Sequence, residues 1–128
     1  MSRPTSEVVQ AVAEMVGNVM VLGVGGKMGP TLAKLAKRAV AESGTDKRVI
    51  GVSRFLVPGL QADLNQAGVE TIPCDLLNES VLQQLPDVPN VVFMAGRKFG
   101  ATGNEPLTWA MNTYLPGRIA EKYRDSRI

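Results

Sequence analysis

Gly23-Val24-Gly25-Gly26-Lys27-Met28-Gly29 decides how this chain reads, because of what flanks it. Asn18-Val19-Met20-Val21-Leu22 precedes it as a short apolar run of the kind that forms a buried strand. After it, Met28, Leu32, Leu35, Ala36, Ala39 and Val40 recur at helical spacing, with Lys34, Lys37 and Arg38 on the other face. Strand, glycine turn and amphipathic helix in that order open a dinucleotide-binding unit, where backbone N–H groups at a helix N-terminus meet a pyrophosphate. Gly23 is expected to turn the chain sharply off the strand, with Gly25 sharing the turn. Gly26 lets backbone approach phosphate, and Gly29 lets helix pack closely on sheet. The helix is expected to start near Lys27, and Lys27 and Met28 are counted with these glycines as cofactor-binding residues.

The rest of the chain repeats the alternation. Thr5 or Ser6 can cap a helix over Glu7 to Met15, and Gly17-Asn18 stops it. Arg48 to Ser53 is a second, β-branched run, and Pro58 to Ala67 reads as a helix ended by Gly68. Val69 to Asp75 contains Pro73, which predicts an edge strand. Asn78 caps a short helix to Leu85, and Asn90 to Gly96 is a fourth apolar strand. A loop from Arg97 to Glu105 then leads into a last helix from Pro106 to about Arg124. Strands alternating with helices predict an α/β fold, a Rossmann-like doubly wound parallel sheet with strand order 3-2-1-4 and helices on both faces. With four strands it reads as incomplete, ending at Ser126-Arg127-Ile128 where a fifth would begin, so the outer edge of Val91 to Met94 is expected to lie unpaired. The 128 residues are taken as one domain, the N-terminal part of a larger enzyme, with the possibility of pairing to a second copy left open.

Composition removes several alternatives. Hydrophobic residues make up 45% and charged residues 20%, which is globular and not disordered. A net charge of +2 with scattered basic residues gives no nucleic-acid footprint. The single cysteine, Cys74, excludes an internal disulfide and fits a reducing cytoplasm. The absence of histidine removes a Ser-His-Asp triad and any His-containing metal site, so no metal is expected. No apolar run approaches the ~18 residues of a membrane span.

Motifs along nearly the whole chain resemble the N-terminal portion of the extended short-chain dehydrogenase/reductase family, the NAD-dependent epimerases and dehydratases. The family's Gly-x-x-Gly-x-x-Gly turn is matched by Gly23, Gly26 and Gly29, and the Asp-Leu at the end of its third strand by Asp75-Leu76. Its small-residue turn after the fourth strand is matched by Met94-Ala95-Gly96, and the Asn of its next helix by Asn112. The resemblance implies that Asp75 accepts from the adenine amino group while Leu76 lines the ring; a turn or cap is the competing role for Asp75. Ala95 and Gly96 would let the nicotinamide-side ribose and phosphate approach the backbone. Ser53 and Arg54 end the second strand, where the adenosine ribose would lie. No Asp or Glu occupies positions 51 to 57, and an Arg there accommodates a 2′-phosphate, so NADP is favoured over NAD. Asn112 lies four residues before Pro116, which lacks the N–H that would bond the carbonyl of residue 112. An opened turn there could hold a water or a supporting bond near the site, or simply be a kink in a surface helix. Trp109, Met111 and Leu115 read as core or interface residues.

The family's chemistry also needs Tyr-x-x-x-Lys, and this chain does not supply it. Tyr114 is followed four residues later by Arg118, and Tyr123 by Arg127. No catalytic residue is therefore assigned. The resemblance implies the cofactor-binding part of an oxidoreductase acting on a small molecule, often a nucleotide-linked sugar. A non-catalytic dinucleotide sensor and a structural module on the same fold remain as rivals.

Overall fold

Val19–Leu22 forms β1 at the centre of the sheet, and all four of its residues are buried. The computed structural model describes residues 3–97 and 103–128; residues 98–102, inside the expected Arg97 to Glu105 loop, lie outside the described set. In β1, Met20 and Leu22 pack on one face and Val21 on the other, so both faces are covered and the strand reads as a continuous apolar run. β2 (Val49–Ser53), β3 (Glu70–Pro73) and β4 (Asn90–Phe93) complete a sheet in the order β3-β2-β1-β4. All three pairings are parallel. The architecture is the expected one, and β3 with Pro73 lies at the edge.

Two cores sandwich this sheet. On one face, α1 (Ser6–Glu14), α2 (Gly29–Glu42) and α3 (Leu60–Gln66) bury Val12, Ala33, Ala39, Val40 and Leu64 with Val21. On the other, α4 (Glu79–Gln84) and the C-terminal helix bury Leu82, Leu115, Ile119 and Tyr123 with Met20 and Leu22. Local signals place the helix starts: Thr5 Oγ1 accepts from Val8 N–H, and Asn78 Oδ1 accepts from Val81 N–H. Pro58 stands outside α3, because the cap position Gly59 is left-handed, with φ 81°, and helical geometry begins only at Leu60. Likewise α2 begins at Gly29, two residues later than the start expected near Lys27.

The last helix is not continuous α-helix. It comprises α5 (Glu105–Trp109), a π-helical turn over Ala110–Tyr114, and α6 (Leu115–Lys122). The edge of β4 also differs from expectation. Met94 N–H donates to Leu22 O on the β1 side, while Val91 N–H donates to Arg127 O at 2.8 Å on the outer side. Arg127 N–H returns to Pro89 O at 2.8 Å, a parallel bridge opposite Asn90. Bonds in a parallel ladder alternate between the two sides of a strand, so Val91 to Met94 are not uniformly unpaired. Among the described residues no helix is long and apolar enough to cross a membrane.

Candidate functional site

The carboxyl ends of the four strands border a cleft of about 480 Å³. It opens where the chain leaves β1 toward β2 on one side and returns as β4 on the other, the usual ligand position in an open α/β sheet. Its floor is the glycine turn. Gly23 takes φ 85°, and a Cβ there would stand 2.5 Å from Ala95 N, so only glycine lets the ends of β1 and β4 meet. Gly25 lies against β2, where a Cβ would come within 2.3 Å of Ser53 Oγ.

Gly26 and Gly29 separate cleanly. A Cβ on Gly29 would lie 2.3 Å from Val24 O, so this glycine seats the first turn of α2 on the loop backbone and not directly on the sheet. A Cβ on Gly26 would meet only Gly23 O, at 3.6 Å, and Gly26 lines the cleft. The Gly26 N–H is already used, donating to Gly23 O at 3.2 Å to close the turn. Among the described residues no acceptor is paired with the N–H of Gly25, Lys27 or Met28. The unbonded donors are thus the Gly25 N–H in the turn and those of Lys27 and Met28, the two residues directly before the 14-residue helix α2. The Lys27 and Met28 side chains are exposed and stand outside the cleft lining.

At the β2 end, Ser53 Oγ accepts from Phe55 N–H at 3.3 Å, and Phe55 adopts φ 50°. This tight turn leaves Arg54 exposed on the cleft wall. At the β3 end, Leu76 is buried and lines the cleft beside Cys74. Asp75 Oδ1 accepts from Leu77 N–H at 3.0 Å, so its turn role is real while its other oxygen takes no bond among the described residues. Burial, and then the nearby Asp75 carboxylate, push the Cys74 thiol up. A thiol held protonated is a poor nucleophile.

At the β4 end, Met94, Ala95, Gly96 and Arg97 line the cleft. Asn112 does not. Its Oδ1 accepts from Arg97 N–H at 2.7 Å and its Nδ2 donates to Arg97 O at 2.6 Å. Of the roles open to it, the side chain takes that of a supporting bond beside the site, and it clamps the backbone after β4. The π turn supplies the position: Leu115 N–H reaches back five residues to Ala110 O. Leu115 is core, Trp109 is 63% exposed, and Met111 packs on the core while lining the cleft. Neither tyrosine lines the cleft. Tyr123 is buried with its hydroxyl donating to Pro86 O at 3.1 Å, and burial pushes its ionisation up.

Sequence reasoning missed Phe55, Leu60, Arg97 and Met111 as cleft residues. It also missed Gly51, over which the fully buried Val24 side chain sits, with a Cβ at 51 coming 3.0 Å from Val24 Cγ1. Leu56-Val57, apolar and exposed directly after a strand, was the available signal for a wall there. No family model matches the chain, and no curated protein matches it.

Proposed function

We propose that the cleft binds a nicotinamide dinucleotide and that the chain is the cofactor-binding part of an epimerase- or dehydratase-type oxidoreductase. The observation that supports this reading is the glycine turn, where Gly23, Gly25 and an open Gly26 line the cleft and the Gly25 N–H has no acceptor among the described residues. The pyrophosphate would lie over Gly23 to Gly29. Asp75 and Leu76 would take the adenine, Ser53 and Arg54 the ribose, and Ala95 and Gly96 the nicotinamide side. When bound, the dinucleotide supplies a hydride acceptor or donor. The residues of this chain would hold and orient it, with Leu76, Met94 and Met111 as an apolar part of the wall. Arg54 has no carboxylate within ion-pair distance among the described residues, which supports a preference for NADP.

Calorimetric titration with NADPH and NADH tests the reading. Binding of NADPH in preference to NADH is expected, and absence of binding by either defeats it. A second reading, a dinucleotide sensor without catalysis, is favoured by the two tyrosines, since one is buried in a structural bond and neither reaches the cleft. Tight binding with no reduction of NADP by any of a panel of nucleotide-sugars, hydroxy acids and phosphorylated alcohols would support the sensor.

A further inference from the structure

Arg97 lines the cleft after β4, as Arg54 lines it after β2. In the sheet register Val52, Leu22 and Phe93 lie side by side, so the two arginines sit beyond strands about 10 Å apart. Arg97 also follows its strand two residues further out. Its backbone is gripped on both sides by Asn112, at 2.7 and 2.6 Å, which fixes where the side chain starts. The residue is half-buried, and the apolar Met94, Leu107 and Met111 line the same cleft. Arg48 and Arg118 each have a carboxylate partner, whereas among the described residues none lies within ion-pair distance of Arg97. A partly desolvated guanidinium with a fixed origin gains most from a carboxylate or phosphate that it can grip with two N–H groups.

Resting on the dinucleotide reading, we propose that Arg97 determines specificity by anchoring an acidic group of the substrate. On that reading the pyrophosphate has the glycine-turn N–H groups and the 2′-phosphate has Arg54, which leaves the cation at the β4 end to a second ligand. The substrate class is therefore a small anion, carboxylate or phosphate, with an apolar body resting on Met94, Leu107 and Met111. The nicotinamide-side phosphate of the dinucleotide carries the same chemistry, and the test separates the two sources.

The full chain, as parent, Arg97→Ala and Arg97→Lys, is titrated with NADPH, with adenosine 2′,5′-bisphosphate, and, once saturated with NADPH, with inorganic phosphate and malonate as probes. The substitutions leave the backbone bonds to Asn112 in place, and equal melting temperatures check this. The loaded parent should bind phosphate or malonate, Arg97→Ala should weaken that binding about tenfold or more, and Arg97→Lys should restore part of it. NADPH and the bisphosphate should bind all three proteins within about twofold. A loss of NADPH affinity parallel to the anion loss would assign Arg97 to the cofactor and overturn the proposal. NADPH binding without any anion binding to the loaded parent overturns it alone. Failure of NADPH to bind the parent overturns the dinucleotide reading, and this proposal with it.

Discussion

Gly26 and Gly29, three residues apart in one motif, give opposite predictions. At Gly26 an added Cβ meets only Gly23 O, at an ordinary contact distance of 3.6 Å. Gly26→Val should therefore melt close to the parent yet lose NADPH binding; unchanged binding by titration would remove the pyrophosphate from this turn. At Gly29 the obstacle is the Val24 carbonyl, which is backbone and cannot step aside. Gly29→Ala should lower stability by about 1–3 kcal/mol, read by denaturant unfolding, as overpacking does. At Arg54 a charge-assisted contact to a 2′-phosphate is worth about 1.5–3 kcal/mol, so Arg54→Ala should lose roughly tenfold or more in NADPH affinity and leave NADH unchanged. The glycine spacing was legible because the turn itself asks for glycine at Gly23, with φ 85°, and at Gly29, against the Val24 carbonyl. Gly51 was not, because its reason is Val24, and only the β1–β2 register brings the two together.

The C-terminal helix shows the same division one level up. Pro116 announces in the sequence that the carbonyl of residue 112 loses its donor, and the structure answers with a π turn over Ala110–Tyr114. The sequence does not announce where the Asn112 side chain points. Its partner, Arg97, is fifteen positions away across a loop, and contacts of that kind depend on how the elements dock. Both polar ends of Asn112 are bonded to one residue, so the side chain works as a staple between helix and strand end. Asn112→Ala removes two hydrogen bonds worth about 0.5–1.5 kcal/mol each. The expected result is a loss of about 1–3 kcal/mol in stability together with faster hydrogen exchange at the Arg97 amide. Asn112→Asp keeps the acceptor and should restore part of the protection at that amide. An Arg97 amide exchanging as slowly in Asn112→Ala as in the parent would show that the loop is held by something else.

At the scale of the molecule, alternation of apolar strands with amphipathic helices was enough to order the sheet, since short parallel crossovers leave few topologies. The sequence could not show that the core under α4 and α6 contains two ionisable groups, Cys74 and Tyr123, both buried. Each has its ionisation pushed up, mainly by burial, from ordinary values of 9.0 and 10.0. The neutral forms therefore favour the folded state. Below those values both groups are neutral folded or unfolded, and their packing is fully retained. As pH rises past them the unfolded chain releases its protons first, which draws the equilibrium toward unfolding until the folded-state values are reached. Stability should thus fall from about pH 9 upward, and the tyrosine should steepen the fall above about pH 10. Tyr123→Phe forgoes the hydroxyl bond to Pro86 O, at a cost of about 0.5–1.5 kcal/mol near neutrality, but it has no phenol to ionise. Its melting temperature should start below that of the parent and decline less steeply above about pH 10, so that the two curves converge. Parallel curves over that range would mean that the buried phenol does not set the alkaline limit of this fold.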